Sequence, residues 1–143
     1  SKVAGGFVLS LTTFWWAPVY AQTVAPSALP TGGQISAGVA SMMTNGNQMT
    51  VTQSSNRAAI NWNTFDIGSQ ATVNFVQPSA NAVALNRVNS PNPSQIFGNL
   101  NANGQVYLLN SAGVYFAPGA QVNVGGIVAV RIQCGVGADH LHP

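Results

Sequence analysis

The side chains best suited to chemistry lie near the C-terminus of the chain. Cys134, Asp139, His140 and His142 are close in sequence and resemble a loose set of zinc ligands. Zinc sites need three or four ligands held by ordered neighbours, and a His-x-His spacing alone is a weak signal. A Cys–His nucleophilic pair has no better support, since mainly small or apolar residues of the tail join the two candidates. We therefore predict no metal site, no cofactor and no catalytic residue.

The rest of the chain carries a single carboxylate, Asp66. Glycosidases need a pair of carboxylates, so hydrolysis by paired acids is excluded. Asp66 lies between Phe65 and Ile67, a context that favours a structural role as a turn acid or as the partner of Arg87. We predict that the protein is not an enzyme.

Charge is scarce throughout the sequence. Only 4% of the 143 residues are charged, and the net charge is +2. Nucleic-acid surfaces need clustered Lys and Arg, whereas the four basic residues here are scattered singly. We predict no nucleic-acid partner. Uncharged polar residues such as Asn and Thr can stack on identical neighbours along a sheet without repulsion.

Short strand signals separated by turns dominate the chain. Four segments show β-branched or alternating patterns: Gln48–Gln53, 58–62, Thr72–Val76 and 82–85. Residues 86–94 carry two prolines and are predicted to be a surface loop. From residue 95 to residue 126, apolar triplets and quartets recur between Gly and Asn-Gly turns. Strands this short are stable only when stacked, which favours parallel coils.

A β-sandwich remains the alternative fold. Asn45-Gly46 and Asn103-Gly104 are dipeptides typical of hairpin turns between long strands. Nearly continuous apolar runs at 106–109 and 114–116 instead favour parallel stacking.

Most aromatic side chains are expected in the core, with Tyr107 and Tyr115 as candidates for the outer face. The seven aromatics considered are Trp62, Phe65, Phe75, Phe97, Tyr107, Tyr115 and Phe116.

The first 21 residues have the layout of a secretory signal peptide with a partial n-region. Lys2 precedes an apolar run from residue 3 to residue 16, Pro18 follows, and Val19 and Ala21 occupy the −3 and −1 positions of a cleavage site. The apolar run is too short to span a bilayer. We expect cleavage after Ala21 and export from the cytoplasm.

Several segments resemble the N-terminal secretion domain of the filamentous haemagglutinin family, the exoproteins of Gram-negative two-partner secretion systems. The segments are ALPTGGQ at 28–34, NWNTFDIG at 61–68, VNFVQP at 73–78, AVALNRV at 82–88, and residues 93–126. The resemblance implies a right-handed parallel β-helix with short antiparallel capping strands. It also implies a secretion-signal and folding-nucleus domain of a large adhesin or haemagglutinin. Its partner is then an outer-membrane β-barrel transporter with periplasmic POTRA domains.

One family motif, Asn-Pro-Asn-Gly followed by an aliphatic residue, aligns with residues 110–114. Asn110, Gly113 and Val114 match, while Ser111 and Ala112 replace Pro and Asn. If the motif only shapes a corner of the β-helix, its function tolerates these replacements. If the partner contacts the motif directly, the replacements weaken recognition. Together with Asn103 and Gly104, the matching residues are the candidate turn or recognition residues, and Trp62, Asp66 and Arg87 are the structural ones.

The resemblance divides the chain into a leader (1–21), the secretion domain (22–129) and an atypical tail (130–143). The tail departs from the family pattern, and we expect a truncated domain that lacks later coils.

We expect partner docking by β-augmentation along an edge strand such as Gln48–Gln53. A self-sufficient carbohydrate- or cell-surface-binding β-solenoid is the alternative function. Export that depends on a co-expressed transporter distinguishes the two.

Overall fold

The computed structural model describes residues 24–130, which form twelve β-strands and no helix. The leader and the tail from residue 131 lie outside the described residues, as do the zinc and nucleophile candidates named above. The strands are β1 Gln34–Ala37, β2 Ala40–Asn45, β3 Gln48–Gln53, β4 Arg57–Trp62, β5 Thr72–Val76, β6 Val83–Val88, β7 Ser94–Ile96, β8 Asn99–Ala102, β9 Gln105–Asn110, β10 Val114–Phe116, β11 Gln121–Asn123 and β12 Gly126–Val130.

The strands build a parallel β-solenoid of about four coils. Successive coils contribute β3, β5, β8 and β11 to one sheet and β4, β6, β9 and β12 to a second, and every one of these neighbouring pairs is parallel. A small third sheet pairs β7 with β10. The predicted parallel β-helix is therefore confirmed, and the sandwich alternative is wrong because, from β3 onward, consecutive strands lie in different sheets.

An antiparallel cap closes the N-terminal end of the solenoid. β2 pairs antiparallel with β3, β1 pairs antiparallel with β4, and Thr31 forms an antiparallel bridge to Thr64. The cap thus runs around all three faces of the first coil in the reverse direction. This arrangement confirms the expected capping strands, and the Gly46 turn between β2 and β3 is the hairpin turn that Asn45-Gly46 predicts.

Three expectations about particular elements are wrong. β3 is flanked by β2 and β5, so Gln48–Gln53 is not an edge strand. β6 continues to Val88, which places Arg87 inside a strand and shortens the predicted loop. Asn103-Gly104 joins β8 to β9, which lie in different sheets, and is therefore a corner instead of a hairpin turn.

Alternating burial along the strands produces one continuous core. Trp62, Phe65 and Phe75 are its largest fully buried side chains, whereas Tyr115 is 51% exposed. Polar rows stack on the outside: the Asn101 amide donates to Asn74 at 2.9 Å, and the Asn123 amide donates to Asn101 at 3.3 Å. These amides are the expected ladder of uncharged polar side chains.

Candidate partner-recognition site

The family-type turn after β9 is built around the buried side chain of Asn110. Its Oδ1 accepts a hydrogen bond from the Ala112 N–H at 2.8 Å, and its main-chain oxygen accepts one from the Gly113 N–H at 2.9 Å. Gly113 has φ +115°, which a side chain would strain. The Asn110 bond uses the main chain of residue 112, so it forms although Ala112 replaces the family Asn.

The same turn holds a loop of the preceding coil. The Asn110 Nδ2 donates to the Asn92 carbonyl at 3.1 Å and to the Ser94 Oγ at 3.0 Å. The Gly113 carbonyl accepts from the Ser94 N–H at 3.0 Å, and Val114 then pairs with Ser94 in the third sheet. Asn110 therefore links two successive coils at a corner where each coil changes direction.

Asn103 and Gly104 form a second corner, and their contacts converge on Gln77 of the preceding coil. The Asn103 side chain accepts from the Gln77 N–H at 2.7 Å and donates to the Gln77 carbonyl at 2.6 Å. The buried Gly104 N–H donates to the Gln77 Oε1 at 2.9 Å. This side-chain pairing continues the interstrand ladder through the corner, where strand pairing stops.

Sequence reasoning missed the buried glutamines of this corner. Gln77 and Gln53 are only 5% and 4% exposed. The Gln77 Nε2 donates to the Gln53 Oε1 at 3.3 Å and to the Gln105 carbonyl at 3.1 Å, and the Gln53 Nε2 donates to the Val83 carbonyl at 3.0 Å. The available signal was a Gln directly at or after the end of an alternating strand in two successive coils.

Trp62 is the anchor of the first coil. It is 1% exposed, and its indole N–H donates to the Asn86 Oδ1 at 2.8 Å. Its ring packs edge-on against Phe65, with centroids 5.5 Å apart. Asn86 is itself fully buried and donates onward to the Tyr107 carbonyl at 3.3 Å, so this bond extends the contact through three coils.

Asp66 and Arg87 do not meet. The Asp66 Oδ1 accepts the Gln95 N–H at 2.8 Å, which fixes the start of β7, whereas Arg87 is exposed on the outer face of β6. Burial raises the pKa of Asp66, and the Gln95 hydrogen bond opposes that shift. Because folding raises this pKa, ionisation of Asp66 as the pH rises through the shifted value removes stability that the protonated form contributes.

Within residues 24–130, no group of three or more His, Cys, Asp or Glu side chains could hold a metal ion. That part of the chain also contains no helix long and apolar enough to cross a membrane. The side-chain hydrogen bonds at the corners and in the polar rows join successive coils.

The sequence matches the profile of the TPS secretion domain, the domain of two-partner secretion, over residues 21–133. The chain belongs to the TPS secretion domain family. The crystal structure of the HMW1 secretion domain from Haemophilus influenzae is similar to this TPS domain with a TM-score of 0.69 at 32% identity. The similarity covers 78% of this chain and 30% of that one.

Two similar proteins are described as heme/hemopexin-binding proteins of Haemophilus influenzae. One, from strain Rd, is 48% identical over 101 residues, which is 71% of this chain and 11% of the relative. The other is 50% identical over 86 residues, 60% of this chain and 9% of the relative. The chain thus spans about a tenth of the length of the curated relatives that it matches.

These comparisons confirm the expected two-partner secretion domain. The TPS domain is the secretion domain of exoproteins of Gram-negative bacteria, and its family is one of secretion and not of catalysis. The corners at Asn110 and at Asn103–Gly104 lie inside the matched region.

Proposed function

We propose that this TPS domain is the secretion signal and folding nucleus of a large adhesin- or haemagglutinin-type exoprotein, recognised by the POTRA domains of an outer-membrane β-barrel transporter. The observation that carries the proposal is the family match over residues 21–133. Passage through the periplasm after cleavage of residues 1–21 is part of the proposal. The heme/hemopexin-binding activity named for the relatives refers to proteins of which this chain covers about a tenth.

The cap offers a suitable surface for POTRA docking by strand addition. β2 pairs with β3 on one side, and no strand among the described residues pairs with its other side. Val39 and Met43 are 62% and 73% exposed, and β2 contains no charged residue. Natural edge strands are usually protected by charge, proline or a covering segment. An open, uncharged edge is therefore a favourable place for a partner strand.

Lysine at the edge tests this docking mode. Ser41→Lys and Met43→Lys together are expected to reduce the secreted amount by about tenfold in cells that express the transporter, because edge charges oppose strand pairing. Quantitative immunoblots of the culture medium and of the cell fraction measure the effect.

Thr52→Lys is the matched control. Thr52 is exposed on the interior strand β3, directly opposite Ser41 in the register. The control adds one lysine to the same sheet face, and we expect normal secretion from it. Ser41→Lys alone, which adds one lysine at the paired position of the edge strand, is compared with it directly. Equal secretion of the edge variant and the control would rule out docking at β2. Transporter-independent secretion of the unaltered chain would overturn the proposed function itself.

A separate prediction concerns the Asn110 turn, which we propose shapes a corner and is not read directly by the partner. Asn110→Ala removes the three hydrogen bonds of one buried side chain and leaves a cavity. We expect the free energy of unfolding to fall by about 2–3 kcal/mol, measured by urea denaturation.

The partner-binding assay separates the two roles of this turn. If the turn shapes a corner, folded Asn110→Ala protein keeps its affinity for the transporter's periplasmic domains within about twofold, since a corner acts only through folding. Ser111→Ala, at the exposed position of the same turn, is the control and should change neither quantity. A large loss of affinity without loss of stability would show direct reading.

A further inference from the structure

An apolar row crosses the outer face of the second sheet, from the cap to the last described coil. The strand registers place Ala37 beside Ala59, Ala59 beside Leu85, Leu85 beside Tyr107 and Tyr107 beside Val128. Their neighbours along β4, β6 and β9 are buried in the core, so these five side chains point outward. We refer to the five residues as the apolar stripe.

The stripe contains a groove at its cap end. Ala37 and Ala59 are small, whereas Leu85 and Tyr107 on the following coils are large, and the step between them leaves an open cavity of about 350 Å³. Arg57 and Val83 complete its wall. A groove with apolar walls and one cationic edge accepts a bulky apolar side chain that has a carboxylate next to it.

Arginines flank the stripe on both sides. Arg57 lies two residues before Ala59 on β4, and Arg87 lies two residues after Leu85 on β6, and both are exposed. Arg87 pairs in register with Asn61, so the two arginines are offset by four residues, or about 13 Å, along the strand direction. The single carboxylate within residues 24–130, Asp66, is bonded to Gln95, so it does not neutralise either guanidinium. Arg57 and Arg87 are the Lys and Arg residues of the described region, and both lie on this face.

The opposite sheet has a different outer surface. One of its rows consists of Thr50, Asn74, Asn101 and Asn123, and the three asparagines are joined to one another by amide hydrogen bonds. The cationic groups are thus confined to this face: the other sheet also exposes apolar side chains, Met43 and Val76, but its strands contain no charged residue. An apolar row with charges on both sides is typical of a docking surface, where the apolar centre supplies affinity and the charges fix orientation.

We propose that the apolar stripe, with Arg57 and Arg87, is a second docking surface for the transporter's periplasmic region. The partner inserts an apolar side chain into the groove and places carboxylates opposite the two arginines. This inference rests on the proposed function and adds to it a surface that is distinct from the β2 edge. The occupant follows from charge complementarity, since the face is cationic and the described residues 24–130 place no carboxylate beside the two arginines.

Charge reversal tests the surface. The double variant Arg57→Glu/Arg87→Glu of the full chain is expected to bind the purified periplasmic region of its transporter about tenfold more weakly at low ionic strength. The difference should narrow in 1 M salt, because exposed charges are screened there. Ala59→Phe, which fills the groove without changing charge, should weaken binding at both salt concentrations. Isothermal titration calorimetry measures the affinities, and circular dichroism verifies folding.

Two controls accompany these variants. Arg57→Lys/Arg87→Lys keeps the charge, and Thr52→Glu adds a carboxylate to the other sheet, so both should bind within about twofold of the unaltered chain. Unchanged affinity of the folded charge-reversal variant and of Ala59→Phe overturns this inference while leaving the proposed function intact. No binding by the unaltered chain overturns the proposed function. A dimer of the chain that is abolished by the same variants also overturns the inference, because the face would then serve self-association.

Discussion

Trp62→Ala is expected to lower the free energy of unfolding by about 3–5 kcal/mol, the largest loss that we anticipate from a single truncation. The indole is 1% exposed, so its removal opens a cavity in the first coil. Two specific contacts disappear with it: the edge-on packing against Phe65 and the hydrogen bond to Asn86. Chemical denaturation of the purified domain, followed by far-UV circular dichroism, measures the change.

Trp62→Phe separates the two contributions. Phenylalanine keeps an aromatic ring against Phe65 but has no N–H to donate, so the buried Asn86 Oδ1 loses its 2.8 Å partner. An unsatisfied buried acceptor costs about 1–3 kcal/mol. We expect this variant to be intermediate between the unaltered protein and Trp62→Ala. If both variants lose the same stability, the hydrogen bond to Asn86 dominates and cavity formation is unimportant.

Gly98→Ala is expected to lower the free energy of unfolding by about 3 kcal/mol, for the opposite reason, which is overpacking. A Cβ at residue 98 would be 2.1 Å from the Gly68 carbonyl oxygen and 2.4 Å from the Ala71 carbonyl oxygen. Both contacts are with main-chain atoms of the preceding coil, so no side-chain rotation relieves them. The coils must separate locally, and hydrogen bonds such as Asn99 N–H to the Ala71 carbonyl, at 3.0 Å, must lengthen.

Gly119→Ala is the matched control for this prediction. A Cβ at residue 119 would meet no atom within 4 Å, and the glycine has no positive φ. The same substitution should therefore leave the denaturation midpoint nearly unchanged or raise it slightly, since alanine reduces the freedom of the unfolded chain. Equal midpoints for Gly98→Ala and Gly119→Ala would mean that the coils tolerate a wider spacing than the structure shows.

The strands and their stacking were predictable because short-range pattern determines them. β3, β5 and β10 begin and end at the predicted residues, since alternating or apolar runs between turn residues define a strand with few alternatives. The end of β6 was missed because Asn86 reads as a turn residue. In the structure it is a buried hydrogen-bond donor and acceptor beneath Trp62, and that partner belongs to another coil.

The corners and outer faces could not be derived in the same way. Whether Gln48–Gln53 is an edge depends on the cap that pairs β2 with β3, a contact decided by tertiary structure. The Gln53–Gln77 bond joins residues 24 positions apart, while the Asn101–Asn74 bond joins residues 27 apart. Because the coil length varies with the turns, no fixed sequence period assigns such partners.

The parallel stacking also determines how the protein responds to mechanical force. Each strand beyond the cap is paired only with the strands of adjacent coils. Tension on the chain at the C-terminal end of the described region therefore loads the hydrogen bonds of one coil at a time and peels it away. The coil from Asn101 to Asn123, 22 residues in length, would release roughly 75 Å of extended chain. Under pulling, the fold would thus yield in small successive steps, one coil at a time.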